Sequence, residues 1–325
     1  MNKQQNLLDQ AVNWIIRPPR RVYNPELLPL AMYSNDGIVY NRHSIALYNH
    51  RNQRIVGSIY LKKGIDLFQP APCVIYLHGN SSSQKEGKFL VPNICSYGAA
   101  LFCFDFTGSG NSDGDYISLG HYESEDLQFI IHELSETFKK GPFALWGRSM
   151  GASTAVLTIN DLIKCKVVDS AYTSINDVCT AIATNNKVPS AFCPGAIWIL
   201  KLRINGIAKF DISKVSPLKA AKDPGQPPLL ICAAIDDEFV PFEEGKQIFA
   251  AYSNSEKEFV QVNNGHNGSR GSDWINKACT FILKHLDIQI DEEKYFHDNA
   301  NAENPENEAH FKSLNDMLNQ ENNNS

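Results

Sequence analysis

Between residues 73 and 262 the chain alternates two kinds of hydrophobic pattern. Short, mostly apolar runs occupy 73–77, 99–104, 143–146, 166–168, 229–234 and 259–262. Longer amphipathic stretches lie between or after them, at 85–97, 121–138, 152–162, 242–252 and 274–286. A strand with one wet face alternates apolar and polar positions, whereas a strand covered on both faces is apolar nearly throughout. The alternation therefore predicts an α/β fold, a mostly parallel, doubly wound sheet with helices on both faces. Upstream, 44–48 and 55–61 alternate with period two around the turn signal at 49–53, which predicts an antiparallel hairpin.

Two intervals break the rhythm. Residues 172–227 are too long for one crossover and hold a helical stretch near 191–210, so they read as a helical cap inserted over the C-terminal edge of the sheet. From residue 291 onward the chain is rich in Asn, Glu and Asp and lacks a sustained apolar pattern. That composition predicts a disordered acidic tail with at most a weak helix at 310–318. The expected organisation is an N-terminal helix and Pro-rich arm at 1–40, one domain at 41–290 with its cap at 172–227, and the tail at 291–325.

Composition narrows the function classes. With 325 residues, the chain is long enough for a large sheet domain carrying an insertion. Its 36 acidic and 30 basic residues argue against a nucleic-acid binder, which would need a basic face, and the cluster Arg17-Pro18-Pro19-Arg20-Arg21 is too short to change that. Eight cysteines are scattered without a CxxC pair, several inside apolar runs where a reduced Cys behaves as a small hydrophobe. The start Met-Asn-Lys-Gln-Gln-Asn has no signal-peptide pattern. No apolar run approaches the length of a membrane span, and neither a myristoylation glycine nor a prenylation box is present. A cytoplasmic location, peripheral to membranes at most, is the expectation.

The strongest chemical signal is Trp146-Gly147-Arg148-Ser149-Met150-Gly151, a G-x-S-x-G directly after an apolar run and directly before a helical one. A serine at a sharp strand-to-helix turn is strained and exposed, and small neighbours two positions away let the turn close. The helix N-terminus behind it favours developing negative charge. Acyl transfer also needs two backbone N–H groups aimed at an oxyanion. Met150, after the serine, offers one; His78-Gly79-Asn80, at the end of an earlier run, nominates Asn80 for the other, with His78 bracing the loop.

With such an elbow the acid and the base follow the serine in that order. Past the run 229–234 stand Asp236, Asp237 and Glu238; Asp237 is expected at the loop apex, with Asp236 as the rival. Past 259–262, the glycine-bracketed Asn263-Asn264-Gly265-His266-Asn267-Gly268 supplies His266 as the base. Ser149, Asp237 and His266 thus form the expected triad, with no cofactor and no metal, since no His/Cys cluster has ligand spacing.

With these residues in place the chain resembles the α/β-hydrolase superfamily, in particular its serine aminopeptidase S33-like branch with palmitoyl-protein thioesterase relatives. Matching blocks beyond the triad are His78-Gly79-Asn80-Ser81, Asp105-Phe106-Thr107-Gly108-Ser109-Gly110-Asn111-Ser112 and Val168-Asp169-Ser170-Ala171. The start Ile15-Ile16-Arg17-Pro18-Pro19-Arg20 is similar to an uncharacterised plant and protist subgroup. The resemblance spans roughly residues 12–287 and implies that the 105–112 block is a structural loop beside the site. The thioesterase relatives carry an N-terminal cysteine cluster for lipidation, and this chain has no cysteine before Cys73. The expected function is hydrolysis of an acyl ester or thioester, free or carried on a protein or lipid. A serine aminopeptidase and a non-catalytic binding protein are the alternatives. Phe192 and Trp198, in the apolar part of the cap, are candidates to line the substrate cleft.

Overall fold

The computed structural model describes residues 7–34, 37–176 and 193–298. Its strands are β1 (Ala31–Tyr33), β2 (Val39–Tyr48), β3 (Arg54–Lys62), β4 (Ala71–Leu77), β5 (Ala100–Phe104), β6 (Lys140–Arg148), β7 (Ile163–Asp169), β8 (Leu229–Ala234) and β9 (Lys257–Val262). They form one sheet in the order β1-β2-β3-β5-β4-β6-β7-β8-β9. The pairs β1/β2, β2/β3 and β3/β5 are antiparallel, and every pair from β5 through β4 to β9 is parallel. The fold class is thus the one predicted, and the hairpin is β2–β3, with Ser44 opposite Ser58 and Ala46 opposite Val56.

The helices are α1 (Leu7–Ile16), α2 (Val91–Cys95), α3 (His121–Glu136), α4 (Met150–Leu157), α5 (Cys193–Ala208), α6 (Pro217–Ala220), α7 (Phe242–Ala251), α8 (Ser272–His285) and α9 (Glu292–Asp298). Because side chains alternate across a strand, β4 sends Cys73, Ile75 and Leu77 into one core layer and Val74 and Tyr76 into the other. The first layer receives Val12 and Ile16 of α1, Ile130 and Leu134 of α3, and Ile204 of α5. The second receives Ile94 of α2, Trp274 and Ile282 of α8, and Tyr295 of α9. Strand order reverses on either side of β4, with β5 on one flank and β6 on the other, and a crevice outside the strand ends at such a point is where open α/β sheets bind ligands.

Several local expectations are corrected. The helix expected at 85–97 is a 3-10 segment, Gln84–Leu90, followed by the short α2, with Pro92 in its first turn. The helix expected at 152–162 begins at Met150 and ends at Leu157, where Thr158 turns extended. The edge strand β1 had no sequence signal, being only three residues long. Residues 292–298, assigned to the tail, form α9, and Tyr295 is fully buried there. Residues 299–325, with the expected helix at 310–318, lie outside the described residues.

The interval 172–227 carries α5, a 3-10 turn at Ile212–Lys214 and α6. Helix α5 turns Leu200, Ile204 and Ala208 inward, while Trp198, Ile199 and Leu202 are exposed. Tyr122, at the start of α3, donates its hydroxyl to the Ala208 carbonyl at 2.9 Å. Among the described residues no helix is long and apolar enough to cross a membrane.

Candidate active site

Ser149 sits between the end of β6 and the start of α4 with φ 52° and ψ −114°, a strained backbone for a residue with a side chain. The flanking glycines explain how the turn closes. A Cβ on Gly151 would overlap the Leu77 carbonyl of β4, and one on Gly147 would overlap the Gly151 carbonyl. The Ser149 N–H is fixed by the Asp169 carbonyl at 2.8 Å.

The loops after β8 and β9 bring their side chains to this serine. His266 Nε2 lies 2.9 Å from Ser149 Oγ, and His266 Nδ1 lies 2.7 Å from Asp237 Oδ2. The imidazole and the Asp237 carboxylate are almost entirely shielded from solvent. Asp237 Oδ1 accepts the Phe239 and Val240 N–H groups at 2.9 and 2.7 Å, so its second oxygen is aimed at the ring. Asp236 does not reach the imidazole; it accepts the Gly265 N–H at 2.9 Å. Glu238 is exposed.

The loop after β4 closes the third side. An added Cβ on Gly79 would lie 3.8 Å from Ser149 Cβ, so this loop runs against the serine. Among the described residues no hydrogen bond occupies the Asn80 or Met150 N–H. His78 is buried and works on the backbone: Phe106 N–H donates to its Nε2 at 3.1 Å, so Nδ1 carries the proton and donates to the Gly79 carbonyl at 2.7 Å. Asp105 accepts Gln84 N–H, Asn111 N–H and the Tyr23 hydroxyl, tying the N-terminal arm to this loop; burial pushes its carboxyl above the usual range.

Arg270 had no motif to announce it. Its guanidinium grips buried Asp169 with two 2.9 Å bonds and donates to the Gly265 carbonyl at 2.9 Å, bracing the His266 loop. Burial opposes the charge on Asp169, yet Arg270 holds that carboxyl below its ordinary value. Only its place after the His266 loop could have hinted at this role. Of the cap candidates, Trp198 is 62% exposed on α5, and Phe192 lies outside the described residues. Among the described residues no cluster of three His, Cys, Asp or Glu side chains could hold a metal.

Such an array sets the Ser149 hydroxyl against an imidazole whose other nitrogen meets a carboxylate, a relay that acyl transfer can use. Residues 69–194 match the family described as serine aminopeptidase, S33; that span includes Asn80 and Ser149 and ends before Asp237 and His266. The lysophosphatidylserine lipase ABHD12 of Danio rerio is 25% identical over 198 residues, 57% of this chain and 48% of that protein. The chain spans about half the length of that lipase and of its frog and rat counterparts. Among solved structures, the esterase Pf2001 of Pyrococcus furiosus superposes with a TM-score of 0.61 at 21% identity, over 82% of this chain and 98% of that one. Oligopeptidase B of Leishmania major superposes with a TM-score of 0.57 at 16% identity, over 77% of this chain and 37% of that one. At these identities the superpositions speak to the fold.

Proposed function

We propose that this chain, which has the α/β-hydrolase fold and matches the S33 serine aminopeptidase family over residues 69–194, is a serine hydrolase of carboxylic esters or thioesters. The observation that carries the proposal is the 2.9 Å approach of His266 Nε2 to Ser149 Oγ, with Asp237 on the opposite ring nitrogen. His266 takes the proton of Ser149 as its Oγ attacks the acyl carbon, and Asp237 keeps Nδ1 protonated and steadies the imidazolium. The Asn80 and Met150 N–H groups bind the oxyanion. Collapse of the tetrahedral intermediate expels the alcohol or thiol, protonated by His266, and leaves an acyl-Ser149. Water activated by His266 then releases the acid. The names of the lipase and esterase relatives favour the ester.

The S33 description favours a second reading, an aminopeptidase. That activity needs a carboxylate to hold the substrate's ammonium group. Residues 178–210 contain none, and the segment is apolar around Phe192 and Trp198. An apolar acyl chain is the better guest.

A fluorophosphonate probe should label the wild-type protein and leave Ser149→Ala unlabelled but folded. In an ester series, kcat/KM should rise as the acyl group lengthens from two to about eight carbons, each buried methylene contributing up to ~0.8 kcal/mol. Labelling that survives the substitution sinks the nucleophile assignment. Faster cleavage of aminoacyl amides than of esters restores the peptidase reading.

A further inference from the structure

Arg148, the variable residue before the serine in the elbow, points into the protein rather than toward solvent, and it is buried together with Glu86. Its Nη1 lies 3.5 Å from Glu86 Oε1. Its Nη2 donates to the His266 main-chain carbonyl at 2.5 Å and reaches Asn267 Oδ1 at 3.5 Å. Glu86 has two further partners: Oε1 accepts the Tyr76 hydroxyl at 3.0 Å, and Oε2 accepts the Gly79 N–H at 3.2 Å. Gly87 makes the approach feasible, because a Cβ there would overlap the Tyr76 ring.

One ion pair therefore touches three loops. It starts from the residue beside Ser149, binds the carbonyl of His266 at one end, and holds at the other end the N–H of Gly79, the residue before Asn80. Burying two charges is costly before they are paired, and a hydrophobic pair of similar volume would serve stability as well or better. What hydrophobic side chains cannot do is hold a main-chain carbonyl on one loop and a main-chain N–H on another. We infer that the Arg148–Glu86 pair is a positioning device, which sets the oxyanion loop and the base loop at a fixed separation across Ser149. The inference rests on the Ser149–His266 reading proposed above. Neither residue touches the substrate; both act through the groups they hold.

The test uses the full chain with Arg148→Met, Glu86→Gln and the double variant. The readouts are Tm, the rate of fluorophosphonate labelling, and kcat and KM for p-nitrophenyl butyrate. Each single variant should lower kcat by ten- to hundredfold with KM changed less than about threefold, and should slow labelling in parallel. Each also leaves a buried charge without its partner and should lower Tm. The double variant removes both charges, so its Tm should recover toward wild type, while kcat stays as low as in the worse single variant. A merely structural pair would give the opposite result, activity returning with stability, and that overturns the inference. Wild-type kcat in either single variant overturns it too. Should Arg148→Met not fold, Arg148→Lys carries the same test. It keeps the cation but has one ammonium for two distant partners, so its kcat should still fall at least several-fold with Tm preserved. Absence of wild-type labelling, or labelling that persists in Ser149→Ala, overturns the underlying reading instead. Normal Ser149 labelling in all the pair variants overturns only the positioning role.

Discussion

Asp237 offers one carboxylate oxygen to His266 Nδ1 and the other to the N–H groups of Phe239 and Val240. In Asp237→Asn the amide oxygen would stay with those two donors, and its NH₂ would face the ring. Nδ1 would then have to accept, Nε2 would carry the proton, and no base would be left facing Ser149. The expected loss in kcat is ~10³ to 10⁴. Asp236 offers one oxygen to the Gly265 N–H, which an asparagine carbonyl can replace, so Asp236→Asn should change kcat less than about threefold. Steady-state kinetics of the two variants decide the matter, and the reverse ranking would assign the acid to Asp236. At this scale the sequence could bring the choice down to adjacent carboxylates. Its preference for Asp237 rests on the loop apex alone, since the Phe239 and Val240 N–H groups that turn this carboxylate toward the ring leave no pattern in the sequence.

Strand β7 carries a buried charge of another kind. Lys166 is fully enclosed, and its Nζ donates to the Thr158 carbonyl at 2.7 Å and to Gln226 Oε1 at 2.6 Å. Burial pushes its ammonium pKa down to about 7. The unfolded chain holds that proton up to the ordinary lysine range, so between these values it binds more protons than the folded state. Stability from this group therefore rises with pH above about 7, by at most about 1.4 kcal/mol per pH unit. Buried thiols such as Cys73 and Cys279, pushed up to about 12 by burial, act oppositely, since the unfolded chain ionises them first. The clean measurement is a difference, urea unfolding of wild type against Lys166→Met between pH 7 and 8.5. The wild type should gain on the variant as pH rises; a constant difference would mean that the folded lysine keeps its proton. Lys166 also shows how far the strands were legible. The run 166–168 opens on that lysine and covers less than half of β7, because Lys164 and Lys166 interrupt the apolar positions of Ile163–Asp169. Helix limits were less legible, because Pro92 and the extended Thr158 override a continuous amphipathic pattern.

Across the molecule, the chemistry that follows chain order was legible, and the chemistry that depends on distant pairing was not. Ser149, Asp237 and His266 stand at loops that the strand pattern itself locates. Arg148 with Glu86 and Asp169 with Arg270 are ion pairs between segments far apart in the chain, and neither leaves a period or spacing in the sequence. The C-terminal boundary failed for a related reason. Two adjacent aromatic residues in a polar segment, Tyr295-Phe296, carry no helical or strand period, yet Tyr295 packs fully buried against the second core layer. Its hydroxyl accepts from Asn93 Nδ2 at 3.3 Å, and its ring meets Tyr97 at 5.2 Å between centroids. Removing a buried aromatic ring typically costs 3–5 kcal/mol. In a chain of this size that corresponds to a fall in Tm of roughly 5–8 °C. Truncation after Ile290 should show this fall, and Tyr295→Ala in the full chain should show most of it. Truncation after Asp298 removes a mostly polar segment whose one apolar cluster is Phe311, Leu314, Met317 and Leu318, so its Tm should match the full chain. Thermal unfolding of the three proteins beside the wild type checks the argument. A neutral Ile290 truncation would mean that α9 does not hold Tyr295 in the core, and a loss already present in the Asp298 truncation would move the C-terminal boundary of the fold further along the chain.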